Sequence, residues 1–178
     1  MDRLRRAALL TRLIERLRRK GSWCGETHVQ KATLFLQDLM RVPLGFDFIL
    51  YKHGPFSFDL RDELTSLRAD ALVKLEPQWP YGPRIAATDR SKYIQGIYSK
   101  TVEKHDDSIS FVAEKLGSKG VADLERLATA LYVTRRTGTG TSIDARAAKL
   151  TALKPHIARD DAVAAVTEVD QIIEETGQ

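Results

Sequence analysis

The stretch FDFILYKHGPFSFDLRDEL, residues 46–64, decides the predicted fold. It opens as a strand, because apolar side chains recur at every second position from Phe46 to Leu50. His53-Gly54-Pro55 then breaks the strand, since glycine permits unusual φ angles and proline fixes φ. Ser57 is predicted to cap a helix with one buried leucine face, made of Leu60, Leu64 and Leu67. A strand that turns sharply into a helix, after an earlier helix, is typical of a small winged-helix core.

The segments on either side complete this pattern. Thr27 and Gln30 have the spacing of a capping box, which predicts a helix that runs to about Arg41. After the Ser57 helix, residues 71–75 and 85–88 are predicted strands, joined by a proline-rich loop. Two short strands in this position correspond to a wing.

From Thr88, another predicted cap, the chain is predicted to be almost entirely helical. Spacings of the 3.6-residue type, separated by Asp, Ser and Gly breaks, predict helices over 90–104, 109–116, 121–136, 142–153 and 159–175. Residues 137–141 are predicted to form a flexible connector, with Ser142 capping the next helix. The predicted fold is mainly α (α+β): a basic amphipathic helix at 1–22, a winged-helix-like domain with a small β-wing at 23–100, and a helical half at 101–178 packed on it.

The composition is that of a soluble globular protein, with 43% hydrophobic and 29% charged residues among 178. No apolar run approaches the roughly 18 residues of a membrane span, so we expect no membrane association. The N-terminus also lacks the pattern of a signal peptide. Cys24 is the only cysteine, which excludes an intrachain disulfide and fits a reducing compartment. We therefore expect a cytoplasmic protein.

The net charge of +4 is concentrated at the start of the chain. Residues 1–20 carry eight basic and two acidic side chains, so the remainder is net negative. Residues 2–20 have the spacing of an amphipathic helix, with a basic face made of Arg5, Arg12, Arg16 and Arg19. The simpler interpretation is a packed helix with a solvated basic back. The sharper one is a contact surface for nucleic acid or an acidic partner.

The sequence contains no complete catalytic or metal-binding pattern. Cys24 and His28 supply two ligands, too few for a zinc site. His105-Asp106-Asp107 is better explained as a solvated loop that caps the next helix. Gly138 and Gly140 lack the strand and lysine of a phosphate-binding loop, and Ser57 lacks a nucleophile elbow. We therefore expect no enzyme activity, no metal and no cofactor.

The charge of the helix that would enter the major groove tests a DNA-binding function. Residues 57–70 contain four carboxylates against two arginines, and carboxylates repel phosphates. This segment is therefore a poor recognition helix. Arg84 and Arg90, near the predicted wing, could still contact backbone phosphate.

Several of these residues resemble a known family. Gln30-Lys31, followed by the run from Tyr51 to Ser57, is similar to the YwgA-like proteins and the related Panacea-domain antitoxin group. Weaker similarities at 127–132 and 154–157 extend the resemblance over about residues 27–175. His53 and Phe56 depart from the family pattern, which usually has tyrosine at both positions. The resemblance implies a winged-helix-like fold and a bacterial or archaeal regulator, antitoxin or defence-associated component, without a catalytic motif.

The sequence thus favours a non-enzymatic protein-interaction module whose partner is a protein. The candidate residues for binding a partner or nucleic acid are Arg5, Arg12, Arg16, Arg19, Tyr51, His53, Phe56, Arg84 and Arg90, with Gly54, Pro55 and Ser57 as the structural turn.

Two alternatives stay open. One is a winged-helix transcription regulator that binds DNA through the N-terminal arginines and the wing. The other is an enzyme accessory subunit with a small-ligand pocket near Tyr51, His53 and Phe56.

Overall fold

The computed structural model describes residues 1–136 and 142–177, which are mainly helical with two small antiparallel sheets. The helices are α1 (Arg3–Arg19), α2 (Glu26–Leu34), α3 (Phe58–Ala69), α4 (Asp89–Ile97), α5 (Ser99–Leu116), α6 (Val121–Arg136), α7 (Ile143–Leu153) and α8 (Arg159–Glu175). A π-helical turn, Phe35–Leu39, directly extends α2. The strands are β1 (Ile49–Tyr51), β2 (Gly54–Phe56), β3 (Val73–Gln78) and β4 (Tyr81–Ala87). Antiparallel pairs form between β1 and β2 and between β3 and β4.

The mainly helical class is confirmed, as are several local predictions. The Ser57 hydroxyl accepts from the Leu60 backbone N–H at 3.2 Å, and the Ser142 hydroxyl accepts from Ala145 N–H at 3.2 Å. Both serines therefore cap their helices. Among the described residues the strands end at Ala87, so the second half is helical as predicted. The predicted connector at 137–141 lies outside the described residues.

The segment His53-Gly54-Pro55 does not simply end a strand, because Gly54 and Pro55 belong to the second strand of a hairpin. Tyr51 pairs with Gly54 and Ile49 with Phe56, so β1 and β2 form a hairpin that turns at Lys52-His53. Pro55 lies inside β2, opposite Leu50, which is tolerated because each strand of a two-stranded sheet has one unpaired edge. The predicted strand from Phe46 is wrong in its first part, since β1 begins only at Ile49.

The β3–β4 hairpin is longer than the sequence predicts. Gln78 pairs with Tyr81, so the turn consists of Trp79 and Pro80 and most of the expected proline-rich loop is strand. The pairing is irregular between Glu76 and Gln78, where Pro77 contributes no N–H to the ladder.

Three details of the helix predictions are wrong. Gly25, not Thr27, precedes the first residue of α2, so the expected capping box does not form. The break between α4 and α5 falls at Tyr98, and His105-Asp106-Asp107 lies within α5 rather than in a loop. The physical reason is that Asp106 faces α1 from within α5. Two arginines of α1 bind its carboxylate there, so the carboxylate is stabilised without capping a helix.

Helix α1 packs into the core through its apolar face, as the simpler interpretation of residues 2–20 predicts. It packs against α2, α4, α5 and β4, and its buried residues are Ala7, Ala8, Leu9, Leu10, Thr11, Leu13, Ile14 and Leu17. Arg12 Nε and Arg16 Nη2 contact opposite oxygens of the Asp106 carboxylate at 2.8 and 2.6 Å. The predicted basic face opposite the apolar face is therefore wrong as a continuous surface, because its two central arginines are paired within the protein.

The Arg12–Asp106–Arg16 cluster predicts a pH-dependent contribution to stability. Hydrogen bonding by Arg12 is the largest influence that lowers the pKa of Asp106. A depressed carboxyl pKa contributes stability above the unfolded-state value of about 3.9, and this contribution is lost as the pH falls through the lower folded-state pKa. We expect Asp106→Asn to lower the free energy of unfolding by about 1–3 kcal/mol at neutral pH.

Urea denaturation at several pH values measures this effect, with Asp107→Asn on the exposed side of the same helix as the matched control. The difference in the free energy of unfolding between wild type and Asp106→Asn should become smaller as the pH falls below the ordinary pKa of a carboxyl group. An equal loss for both variants, or a gap that does not depend on pH, would contradict the assignment.

Candidate functional site

Two glutamines of the α2 region fix the ends of the segment that carries the β1–β2 hairpin. The Gln30 amide accepts from Ser57 N–H and donates to Ser57 C=O, both at 2.9 Å. The Gln37 amide likewise accepts from Phe46 N–H and donates to Phe46 C=O, both at 2.8 Å. Each glutamine thus substitutes for a neighbouring strand, because it satisfies the donor and the acceptor of one residue.

Two lysines donate hydrogen bonds to backbone carbonyl groups of the hairpin. Lys31 is 2% exposed, and its ammonium donates to Pro55 C=O at 2.7 Å. Lys154, at the end of α7, donates to Tyr51 C=O and, at 2.7 Å, to Lys52 C=O. Glu125 of α6 lies 3.7 Å from the Lys154 ammonium and supplies a counter-charge. Burial lowers the pKa of Lys31 to about 8, although the Glu125 carboxylate opposes that shift.

Gly54 brings the hairpin into direct contact with α6. Its φ is +82°, and a Cβ at this position would lie 2.9 Å from Thr129 Oγ1. A side chain is therefore excluded both by the backbone conformation and by the approach of α6. Gln30 and Lys31 thus have a structural role, since they bind the backbone of the Pro55–Ser57 segment.

The outward face of the hairpin carries a cluster of aromatic side chains. We define the aromatic patch as Ile49, Tyr51, Phe56 and Phe58. Its three rings contact one another with centroid separations of 5.1–5.8 Å. Ile49 is 48%, Tyr51 43% and Phe58 38% exposed. These apolar side chains face solvent above a backbone that is fixed from the inside.

The predicted binding residues fall into three separate places. Tyr51, His53 and Phe56 come together on the β1–β2 hairpin, with His53 exposed at its turn. Arg5 pairs with Asp2 at 3.2 Å, and Arg19 is exposed at the far end of α1. These two arginines do not form one surface with Arg12 and Arg16.

Of the two arginines predicted near the wing, Arg84 contacts other groups of the protein and Arg90 is exposed to solvent. The Arg84 guanidinium donates to Trp23 C=O at 3.1 Å and lies 5.3 Å from the centre of the Trp23 ring. It is thus engaged within the protein. Arg90 is exposed in the first turn of α4.

A second feature, which the sequence patterns did not reveal, is a groove of about 880 Å³ between α3, the β3–β4 hairpin and the starts of α2 and α6. We call it the α3 groove. Its apolar lining includes Trp23, Leu64, Val73, Leu75, Tyr81 and Ile85, and its charged lining is Glu26, Arg61, Arg68, Arg84 and Lys119. One signal was available: Arg61, Leu64 and Arg68 follow the spacing that places residues on a single helix face.

The remaining titratable candidates serve packing. Burial raises the pKa of the Cys24 thiol to about 12, so the thiol stays protonated. His28 is buried with Nε2 2.9 Å from Lys119 C=O, and burial lowers its pKa. Within residues 1–136 and 142–177, no three His, Cys, Asp or Glu side chains are grouped to hold a metal ion. Gly138 and Gly140 lie outside the described residues.

Comparison with known proteins does not place the chain in a family. No protein-family model matches it, and no curated protein matches it either. None of the helices in the described ranges is both long and apolar enough to cross a membrane.

Two glycines with positive φ form a matched pair that tests the contact between the hairpin and α6. Gly45 has φ +78° with nothing within 4 Å of the position that a Cβ would occupy, whereas Gly54 faces Thr129. We expect Gly45→Ala to cost about 1 kcal/mol from the backbone alone. Gly54→Ala should cost about 1–3 kcal/mol more, because the added methyl overpacks the contact. Thermal unfolding of both variants measures the difference, and equal losses would remove the steric argument.

Removal of the Gln30 amide tests whether α2 fixes the hairpin. We expect Gln30→Ala to lower the free energy of unfolding by about 2–4 kcal/mol, since each buried backbone group left without a partner costs about 1–3 kcal/mol. Gln171→Ala, on the exposed face of α8, is the control and should change stability by less than about 0.5 kcal/mol. If both substitutions had the same small effect in urea denaturation, the hairpin would not depend on this amide.

Proposed function

We propose that this protein is a non-enzymatic protein-interaction module and that its partner docks on the aromatic patch. The observation that carries the proposal is the exposure of Tyr51 and Phe58, whose rings pack on each other where a hairpin held by buried side chains joins α3. Aromatic residues are enriched in the centres of protein–protein interfaces and among the residues that contribute most to binding.

The rigid support of the patch favours binding. A partner that docks on a mobile loop must also offset the entropy of ordering that loop. Here Ser57 is fully buried and bonded to Gln30, and the carbonyls of Tyr51, Lys52 and Pro55 already have ammonium donors. The aromatic side chains are therefore presented in nearly their bound arrangement before the partner arrives.

The position of the β3–β4 hairpin, directly after α3, supports the interpretation of the region as winged-helix-like. Together with the resemblance to YwgA-like and Panacea-domain proteins, it leads us to propose a regulator, antitoxin or defence-associated component that acts in the cytoplasm. The target of such a module would be another protein.

The charges give less support to the DNA-binding alternative. Arg12 and Arg16 share Asp106, and Arg84 donates to backbone carbonyls, so these three arginines are engaged within the protein. Exposed carboxylates, among them Asp59 and Asp62, accompany the arginines of α3. Duplex binding at physiological salt requires several unpaired cations that face phosphates together.

Site-specific photo-crosslinking in the native cells tests the proposal. A photoreactive phenylalanine analogue at Tyr51 or Phe58 should yield the same discrete adduct with one other protein, because both positions lie in the aromatic patch. The same analogue at Tyr93, which is 73% exposed on α4, is the matched control and should not give that adduct.

Two results would overturn the proposal. One is crosslinking that does not differ between the patch positions and Tyr93. The other is sub-micromolar, sequence-selective binding to duplex DNA at about 0.15 M salt that is abolished by substitution of Arg84 and Arg90, since non-specific contacts weaken steeply with salt.

A further inference from the structure

We infer that the α3 groove binds an acidic amphipathic helix, contributed by the protein partner. This inference rests on the proposed function, because it names the chemistry of the partner segment. The groove has about 880 Å³, near the upper end of the roughly 300–1,000 Å³ typical of ligand pockets. Its lining includes Arg61, Leu64, Thr65 and Arg68, which extend over two turns of α3 and therefore suit an elongated segment.

The charge of the lining selects an acidic occupant. Arg61, Arg68, Arg84 and Lys119 line the groove together with the carboxylate of Glu26. Two of these four cations are held by polar groups elsewhere in the fold: Arg84 by backbone carbonyls and Lys119 by Glu168 at 2.6 Å. The Arg61 guanidinium lies 5.0 Å from the centre of the Phe58 ring, a contact that leaves its N–H groups available. Within the described ranges, the acid that Arg61 contacts is its neighbour Asp62, at 3.4 Å on an exposed surface where such a pair contributes little. Arg68 is exposed at the other end of the same helix face.

The spacing of Arg61 and Arg68 selects a helix. These two arginines are seven residues apart on α3, which separates them by two helical turns, about 10.5 Å along the axis. Two carboxylates seven residues apart on a partner helix have the same separation. Between the arginines, Leu64 and Thr65 also line the groove.

The apolar walls give the second half of the recognition. Leu75 is 37%, Tyr81 69% and Val121 51% exposed, and all three line the groove. Apolar residues between the two carboxylates of a partner helix would cover these side chains, as in other complexes where an amphipathic helix lies in a groove. A nucleic acid is less well suited, since its backbone offers phosphates but no apolar side chains for these walls.

A synthetic peptide provides the test. The probe is a helix-forming peptide with two glutamates seven residues apart and leucines between them, titrated into the full-length protein and followed by amide chemical shifts. We expect shifts at Leu75, Val121 and residues 61–68. The double variant Arg61→Glu with Arg68→Glu should weaken binding about tenfold or more, because two attractive contacts become repulsive.

A matched charge control separates local from general electrostatics. Lys100→Glu with Lys104→Glu removes the same charge from exposed positions on α5 and should leave peptide affinity unchanged. A peptide with lysines in place of the two glutamates should bind the Arg61→Glu, Arg68→Glu variant better than wild type.

The inference is overturned if the shifts lie elsewhere, if both double variants weaken binding equally, if no shifts occur at millimolar peptide, or if a single-stranded DNA oligonucleotide displaces the peptide from the groove. The photo-crosslinking experiment tests the proposed function separately. If Tyr51 and Phe58 give the partner adduct although the peptide test fails, the proposed function stands and only the inference about the α3 groove is overturned. If the patch positions give no adduct that Tyr93 lacks, the proposed function is overturned.

Discussion

The arrangement of the molecule depends on side chains that bind backbone. In the described part of the chain, the segment from Phe46 to Ser57 has no larger sheet to join, and a hairpin of two three-residue strands is unstable alone. Gln30, Lys31 and Gln37 project from one helical region and satisfy backbone groups at three points along this segment. Because buried polar groups without partners are costly, these bonds fix both the position of the hairpin and the direction in which its aromatic residues point.

The same helix-to-hairpin connection links the two candidate binding surfaces. Phe58 is the first residue of α3 and belongs to the aromatic patch, and the Arg61 guanidinium lies 5.0 Å from the centre of its ring. Arg61 also lines the α3 groove. The patch and the groove therefore meet at Arg61, which contacts an aromatic ring of the one and lines the other.

The sequence predicts local structure better than it predicts which side chains pair when they are far apart in the chain. The leucine spacing of α3, the Ser57 cap and the helices α6, α7 and α8 follow from short-range rules, and all of them are present. The pairing of Arg12 with Asp106 joins residues 94 positions apart, and no local pattern contains it. For the same reason the sequence predicts that α1 packs through its apolar face, but not that two arginines of its basic face are paired inside the protein. The α3 groove was missed because its walls come from four separate parts of the chain.

The central position of α1 imposes an order on biosynthesis. This helix is synthesised before its partner α5, which ends only at Leu116. At about 5–20 residues per second, on the order of ten seconds pass before α5 has been made. During this time the leucines that later form the core have few native contacts, and the arginines that later bind Asp106 are still unpaired. Until α5 is made, α1 is therefore a cationic amphipathic segment whose apolar face is open to chaperones.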